Sequence, residues 1–285
     1  MIKRSQILVP LAIGLATCFW LQGCSSANKA ANNNTNKSQG KLVLTGSSTV
    51  APLVAEIAKR FESEHSGVRV DVQSGGSSRG ISDARQGVAD IGMVSRALKP
   101  EEKDLKASSI ARDGVTAILH KDNPVPSLND KQVVDIYTGK VTNWKQVGGK
   151  DGVITVVNKA EGRSTLELFT QYFKLKNTDI KAQVVIGDNE QGIKTVAGNP
   201  NAIGYVSIGS AENSVANGES IKLLPVGGVA ATTANVQNGT FPISRPLNLV
   251  TKTEPQGLAK EFINFAQSQQ VNDIVKKQNF VVVSK

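Results

Sequence analysis

Four short stretches gather serine, threonine and arginine: Thr45–Pro52 (TGSSTVAP), Ser74–Gly80 (SGGSSRG), Met93–Leu98 (MVSRAL) and Val157–Phe169 (VNKAEGRSTLELF). Hydroxyls, guanidinium groups and backbone N–H groups are all hydrogen-bond donors. Held together, they can capture an oxyanion. Catalysis needs more than this. Only His65 and His120 occur, far apart, and no His/Asp/Glu group has metal-ligand spacing, so neither a metal nor another cofactor is expected. No base stands beside the serine clusters to turn a hydroxyl into a nucleophile.

Any one cluster is an ordinary helix start, since Ser and Thr are good N-caps. The shared arrangement of strand, glycine or serine, hydroxyl cluster and helix favours a common anion site. A helix beginning near Arg163, Ser164 and Thr165, with Leu166, Phe169 and Phe173 on one face, directs the positive end of its dipole at that point.

The elements that carry these loops alternate. KLVLTG reads as a strand, and VAPLVAEIAKRFESEH as a helix with apolar residues at helical spacing. VRVDVQ, DIGMVS and VTAILH read as strands; GISDARQGV and KPEEKDL read as helices. A second set follows: NDKQVVDIYTGK, STLELFTQYFKL and NEQGIKTVAG as helices, and VITVV, AQVVI, AIGYVS, IKLLPV and RPLNLVTK as strands, before two closing helices. This order predicts a largely parallel sheet in two α/β lobes, with a ligand at the carboxyl ends of strands.

The N-terminus has a basic Met1–Arg4, an apolar Ile7–Leu21 too short to span a bilayer, and LQGC at Leu21–Cys24. LQGC resembles the lipobox of bacterial lipoproteins, which implies a signal peptide over 1–23 and lipid attachment to Cys24. Residues 24–40 read as a flexible tether. Cys18 and Cys24 are the two cysteines, so the mature body has no thiol for an internal disulfide. The formal charge is +9, of which Lys3 and Arg4 leave with the leader. Aromatic content is 5% and no basic run is interleaved with aromatics, which argues against a nucleic-acid partner.

The chain closely resembles the phosphate-binding lipoproteins of phosphate ABC importers, the PstS-like proteins. TGSSTVAP, GGSSRGI, ADIGMVSR, IYTGKVTNWKQVGG, NKAEGRST, NAIGYVS and FPISRPL carry the resemblance over nearly the whole mature chain. It implies an α/β periplasmic-binding-protein fold of type II, with two crossovers and the ligand in the interlobe cleft. Lobe 1 is expected over 41–117 with 246–285, and lobe 2 over 118–245. The implied function is capture of inorganic phosphate and delivery to ABC permease subunits, by a monomer anchored to the membrane through lipid and facing the periplasm or exterior. The alternatives are an exported phosphatase-like enzyme, or a binding protein for another oxyanion such as sulfate or molybdate.

By position, the resemblance puts phosphate contacts on Ser48, Thr49 and the Val50 amide, on Ser77, on Ser95, and on Arg163, Ser164 and Thr165. The chain departs from the family at several of these points. Arg163 replaces a usual serine, Ser164 a glycine and Lys159 an arginine. Arg96 stands near where several members carry an aspartate that accepts the phosphate proton; Asp83, Asp90 and Glu161 are candidate substitutes. Two guanidinium groups at the ligand would favour the dianion, with affinity rising from about pH 5.5 to about 8, and would admit sulfate. Whether Lys159 or Arg79 touches the ligand is open. The Thr138–Trp144 stretch and FPISRPL are expected to serve structure, at a lobe surface and near a hinge.

Overall fold

In the computed structural model, which describes residues 39–283, the first apolar run forms β1 (Gly40–Gly46). The leader, Cys24 and the tether up to residue 38 lie outside these described residues. After β1 come α1 (Ala51–Glu64), β2 (Val68–Ser74), α2 (Ser77–Gln86) and β3 (Ile91–Val94). In α1 the apolar positions Leu53, Val54, Ile57, Ala58 and Phe61 form the buried face, and Pro52 falls in the first turn, where its missing N–H costs nothing. The expected helix at KPEEKDL is only a single 3-10 turn, Pro100–Glu102.

The next strand decides the architecture. VTAILH is the end of a 15-residue strand, β4 (Lys106–His120). Its first part pairs with β9 (Ser244–Thr251), from Lys106 opposite Thr251 to Gly114 opposite Ser244, with a register shift between Ser109 and Ala111. From Val115 it pairs with β7 (Ala202–Ser207) instead. Between β4 and β9 the chain forms α3 (Asp130–Tyr137), β5 (Thr155–Lys159), α4 (Ser164–Phe173), β6 (Val184–Ile186), α5 (Asn189–Ala197), β7, α6 (Ile208–Ala216), β8 (Ile221–Leu223) and α7 (Thr233–Gln237). The chain closes with α8 (Gly257–Ala266), α9 (Asn272–Lys277) and β10 (Val281–Val282).

The expectation of a largely parallel sheet holds for the flanks alone. β1 pairs parallel with β2 and β3, and β5 with β6 and β7. The central pairings, β3 with β9 and β4 with β7, β8, β9 and β10, are antiparallel. The strand order is β2-β1-β3-β9-β4-β7-β5-β6. Two strands that cross between lobes in opposite directions must meet antiparallel, and that sense is invisible in an apolar pattern.

The fold has the two lobes expected of the type II class, each with its own core. One gathers Leu44, Ile57, Phe61, Met93, Leu249 and Phe262; the other gathers Val115, Trp144, Phe169, Ile203, Tyr205 and Phe241. Side chains alternate along β4: Val115, Ala117 and Leu119 enter that second core, while Ile118 joins a third cluster with Val157, Ile193 and Val206 on the opposite face. Trp144, expected at a lobe surface, is 1% exposed and its indole N–H donates to the Asn201 carbonyl at 3.0 Å. Burial of such a side chain contributes roughly 1.5–3 kcal/mol or more, so this stretch anchors the lobe.

Candidate functional site

The four loops converge. Ser47, Ser48, Thr49, Gly76, Ser77, Ser95, Lys159, Arg163, Ser164 and Thr165 line one small cavity of about 190 Å³. Seven of the eight expected contact residues are therefore together. Val50 does not line the cavity; its N–H donates to Ser47 Oγ at 3.3 Å, beside the Thr49 N–H at 3.2 Å.

Local rules place each group. Gly46 ends β1 and its carbonyl accepts from the Gly75 and Gly76 N–H groups at 2.7 and 2.8 Å, which ties the first loop to the second. Gly76 adopts φ +98°, and a Cβ there would stand 2.7 Å from the Gly162 carbonyl oxygen and 2.9 Å from Arg163 Cδ. Only glycine fits where the lobes press together. The Ser78 N–H donates to that same Gly162 carbonyl at 3.1 Å.

The helix starts answer whether these are ordinary caps. Asn129, Asp188, Ser207 and Thr232 cap α3, α5, α6 and α7 with side-chain oxygens. α2 and α4, which open on the cavity, have Gly76 and Arg163 at the N-cap and no side-chain cap; α8 and α9 away from the cavity also lack one, so what marks the site is the unpaired groups beside it. Ser164 and Thr165 stand inside the first turn of α4, so their hydroxyls are not engaged as N-caps. Arg163 Nε and Ser164 Oγ are buried without a protein partner. A buried unpaired donor costs about 1–3 kcal/mol, which an anion in the cavity relieves.

Sequence reasoning missed the group that organises the cavity. Arg245, in the FPISRPL stretch assigned to the hinge, is 2% exposed on β9. Its Nε and Nη2 donate to Asp113 Oδ2 on β4 at 3.0 and 2.7 Å. The rest of the guanidinium reaches three loops: Nη1 donates to Thr165 Oγ1 at 2.9 Å and Ser95 Oγ at 3.4 Å, and Nη2 to Thr49 Oγ1 at 3.2 Å. Asn189 Nδ2 also donates to Thr49 Oγ1, at 3.0 Å. Ser95 Oγ further accepts from Ser47 Oγ at 2.9 Å, and Ser77 Oγ accepts from the Ser95 N–H at 3.2 Å. A hydroxyl has two acceptor positions and one proton. With its acceptor positions occupied, Thr49 offers only its proton to the cavity, and Ser95 does the same.

Two sequence expectations are corrected. Arg96 does not face the cavity. It is buried against Glu102, with Nη1 and Nη2 donating to that carboxylate at 2.6 and 2.8 Å, and its Nε stands 2.9 Å from Glu167 Oε2 on α4. Lys99 Nζ reaches the same Glu167 oxygen at 3.0 Å. Burial works against the charge of Glu102, yet the bonds from Arg96 and the Lys99 N–H hold its carboxyl below the usual range. None of the candidate proton acceptors lines the cavity either. Asp83 pairs with Arg79, Asp90 accepts from the Val43 N–H, and Glu161 accepts from Asn177. Arg79 is likewise turned away, whereas Lys159 lines the cavity and is 3% exposed. No carboxylate stands among the lining residues.

Residues 31–270 match the family model of the PBP superfamily domain. The chain is similar to the phosphate-binding protein PstS of Bacillus subtilis strain 168, at 31% identity over 294 residues, covering 99% of this chain and 95% of that protein. A crystal structure of a phosphate ABC transporter substrate-binding protein from Clostridium perfringens, with bound phosphate, is 37% identical. It superposes with a TM-score of 0.79, covering 86% of this chain and 100% of that one. An ABC-type phosphate transport receptor from Vibrio cholerae is 30% identical, with a TM-score of 0.70 over 86% of this chain and 100% of its own.

Proposed function

Because the chain belongs to the PstS family of phosphate-binding proteins within the PBP superfamily, we propose that it captures inorganic phosphate between its lobes and delivers it to the membrane subunits of an ABC importer. One observation carries the reading: two uncapped helix starts and the hydroxyls held by Arg245 converge on a single cavity of about 190 Å³. Its lining of hydroxyls and cationic side chains suits a bare tetrahedral anion. Ser48, Thr49, Ser77, Ser95, Ser164 and Thr165 are the hydroxyl contacts in this reading, and Arg163 is the fixed cation. Seven charge-assisted bonds of roughly 1.5–3 kcal/mol each sum to about 10–21 kcal/mol, which leaves room for ordering costs above the roughly 8 kcal/mol of micromolar affinity.

Binding rather than hydrolysis is supported by the positions of the histidines. The His65 ring stacks on Phe61 with centroids 4.0 Å apart, and His120 ends β4; neither lines the cavity. Calorimetric titration of ligand-stripped protein with phosphate, arsenate, sulfate and molybdate tests the function. Saturable 1:1 phosphate binding without release of p-nitrophenol from p-nitrophenyl phosphate is the expected result; turnover of that ester, or no phosphate binding, rejects it.

Capture also requires closure around the anion, and Gly76 is one place where the lobes meet beside the site. Gly76→Ala should weaken phosphate binding at least about tenfold, because the added Cβ meets Gly162 and the backbone is left strained. Small-angle scattering should show phosphate compacting the parent protein and not this variant.

Among the described residues no helix is long and apolar enough to cross a membrane. The LQGC sequence at Leu21–Cys24 supports the further reading that the protein is a monomer held outside the cytoplasm by lipid on Cys24, after removal of residues 1–23. Metabolic labelling with a radioactive fatty acid should mark the parent chain and not Cys24→Ala; label retained on that variant would reject the anchor.

A further inference from the structure

We propose that Lys159 is an anion-linked proton site: its amine takes up a proton as phosphate enters, and the ammonium so formed becomes a charged donor to the oxyanion. The inference builds on the phosphate reading and assigns a role to a residue whose contact with the ligand sequence left open.

Geometry isolates the amine. Lys159 is the last residue of β5, 3% exposed and part of the cavity wall. Its Nζ donates to the Asp188 carbonyl at 3.0 Å, and no carboxylate of the described residues pairs with it. Its backbone N–H donates to Tyr205 Oη at 3.3 Å, and the Tyr205 ring stacks on Phe169 with centroids 3.9 Å apart. The end of the strand is thus fixed, and the side chain is almost wholly withdrawn from solvent.

The charged groups around it come from four elements. Arg245 faces it from β9 and Arg163 from the start of α4; both are cationic. Asp188, at the N-cap of α5 with its carboxylate accepting from the Gln191 N–H at 2.8 Å, opposes them but is one acid against two guanidinium groups and burial. Tyr205, on β7, is kept neutral because burial raises its phenol well above the ordinary value. Burial foremost, then Arg245, and also Arg163 against Asp188, bring the Lys159 amine down to about 7. A phosphate dianion in the cavity reverses that balance.

The step is R–NH2 + H+ + HPO4(2−) giving R–NH3+ held against HPO4(2−), with the proton drawn from solvent. The sign follows. The amine is already charged below pH 7 and binding is then strongest on its account. Above pH 7 each complex must collect a proton, so affinity falls as pH rises through the free-protein value. The expected rise in affinity from about pH 5.5, due to the second ionisation of phosphate, therefore stops near neutrality rather than continuing to about 8.

Calorimetry of the purified protein with inorganic phosphate at pH 8, in buffers of different ionisation enthalpy, counts the protons. The parent should take up about 0.9 proton per phosphate, the neutral fraction of an amine titrating near 7. Lys159→Arg, always charged, and Lys159→Met, never charged, should each take up almost none. From pH 8 to 9 the parent Kd should rise about tenfold relative to Lys159→Arg. Uptake that persists in both variants assigns the proton to the ligand or another group and overturns the inference. Phosphate binding to the parent with little uptake overturns it while leaving the phosphate reading intact. No phosphate binding at any pH removes both.

Discussion

Arg245→Met should lower phosphate affinity at least about 100-fold and also destabilise the protein, and the two effects have separable origins. Stability falls because Asp113, 2% exposed, keeps a charge with only the Gly209 N–H at 3.2 Å to replace the guanidinium. Removing one partner of a buried pair typically costs about 3–5 kcal/mol. At about 2–4 °C per kcal/mol for a chain of this size, the melting temperature drops by roughly 6–20 °C. Affinity falls because Thr49, Ser95 and Thr165 lose the donor that leaves their own protons for the ligand. The double variant Arg245→Met with Asp113→Asn should recover part of the stability and none of the affinity. Unchanged phosphate affinity in a folded Arg245→Met protein would reject this role for the guanidinium. Arg245→Lys should not rescue binding, since an ammonium cannot reach Asp113 and three hydroxyls from one planar fork.

Arg163→Ser tests the other fixed cation. Its Nε is buried without a protein partner, and its side chain lies between Gly76 of one lobe and Gly187 of the other. A hydrogen bond to a charged ligand contributes roughly 1.5–3 kcal/mol, so phosphate should bind about 10- to 150-fold more weakly. Because no carboxylate lines the cavity, sulfate should compete with phosphate in the parent protein and weaken in parallel in the variant. A change of less than about threefold in phosphate affinity, or no sulfate competition at about a thousandfold excess, would count against a donor-only site.

The hydroxyl loops were legible because each is a local pattern: a strand runs into glycine or serine and then into a helix, and position alone brings Ser48, Thr49, Ser77, Ser95, Ser164 and Thr165 to the ends of strands. Arg245 was not legible as a site residue. It reaches Asp113 across 132 positions through the β4–β9 pairing, and neither the length of β4 nor the antiparallel sense of that pairing shows in an apolar count. Lys106–Ser109 (KASS) has no apolar alternation to mark it as strand; hydrogen bonding to β9 makes it one. Arg96 misled for the opposite reason. It follows Ser95 directly, but adjacent residues at a strand end point to opposite sides, so one lines the cavity and the other meets Glu102. The signal for Lys159 lay in the sequence, as a lysine at a strand terminus beside a hydroxyl cluster; its burial did not.

The contact of Arg96 and Lys99 with Glu167 has a kinetic meaning. It spans the lobes one turn along α4 from Ser164, between a segment that follows β3 and a carboxylate that does not line the cavity. A tie of this kind favours the form in which the lobes touch, so its expected effect is on the dwell time of the loaded protein more than on the encounter rate. The interval before release then depends on an ion pair that never meets the cargo.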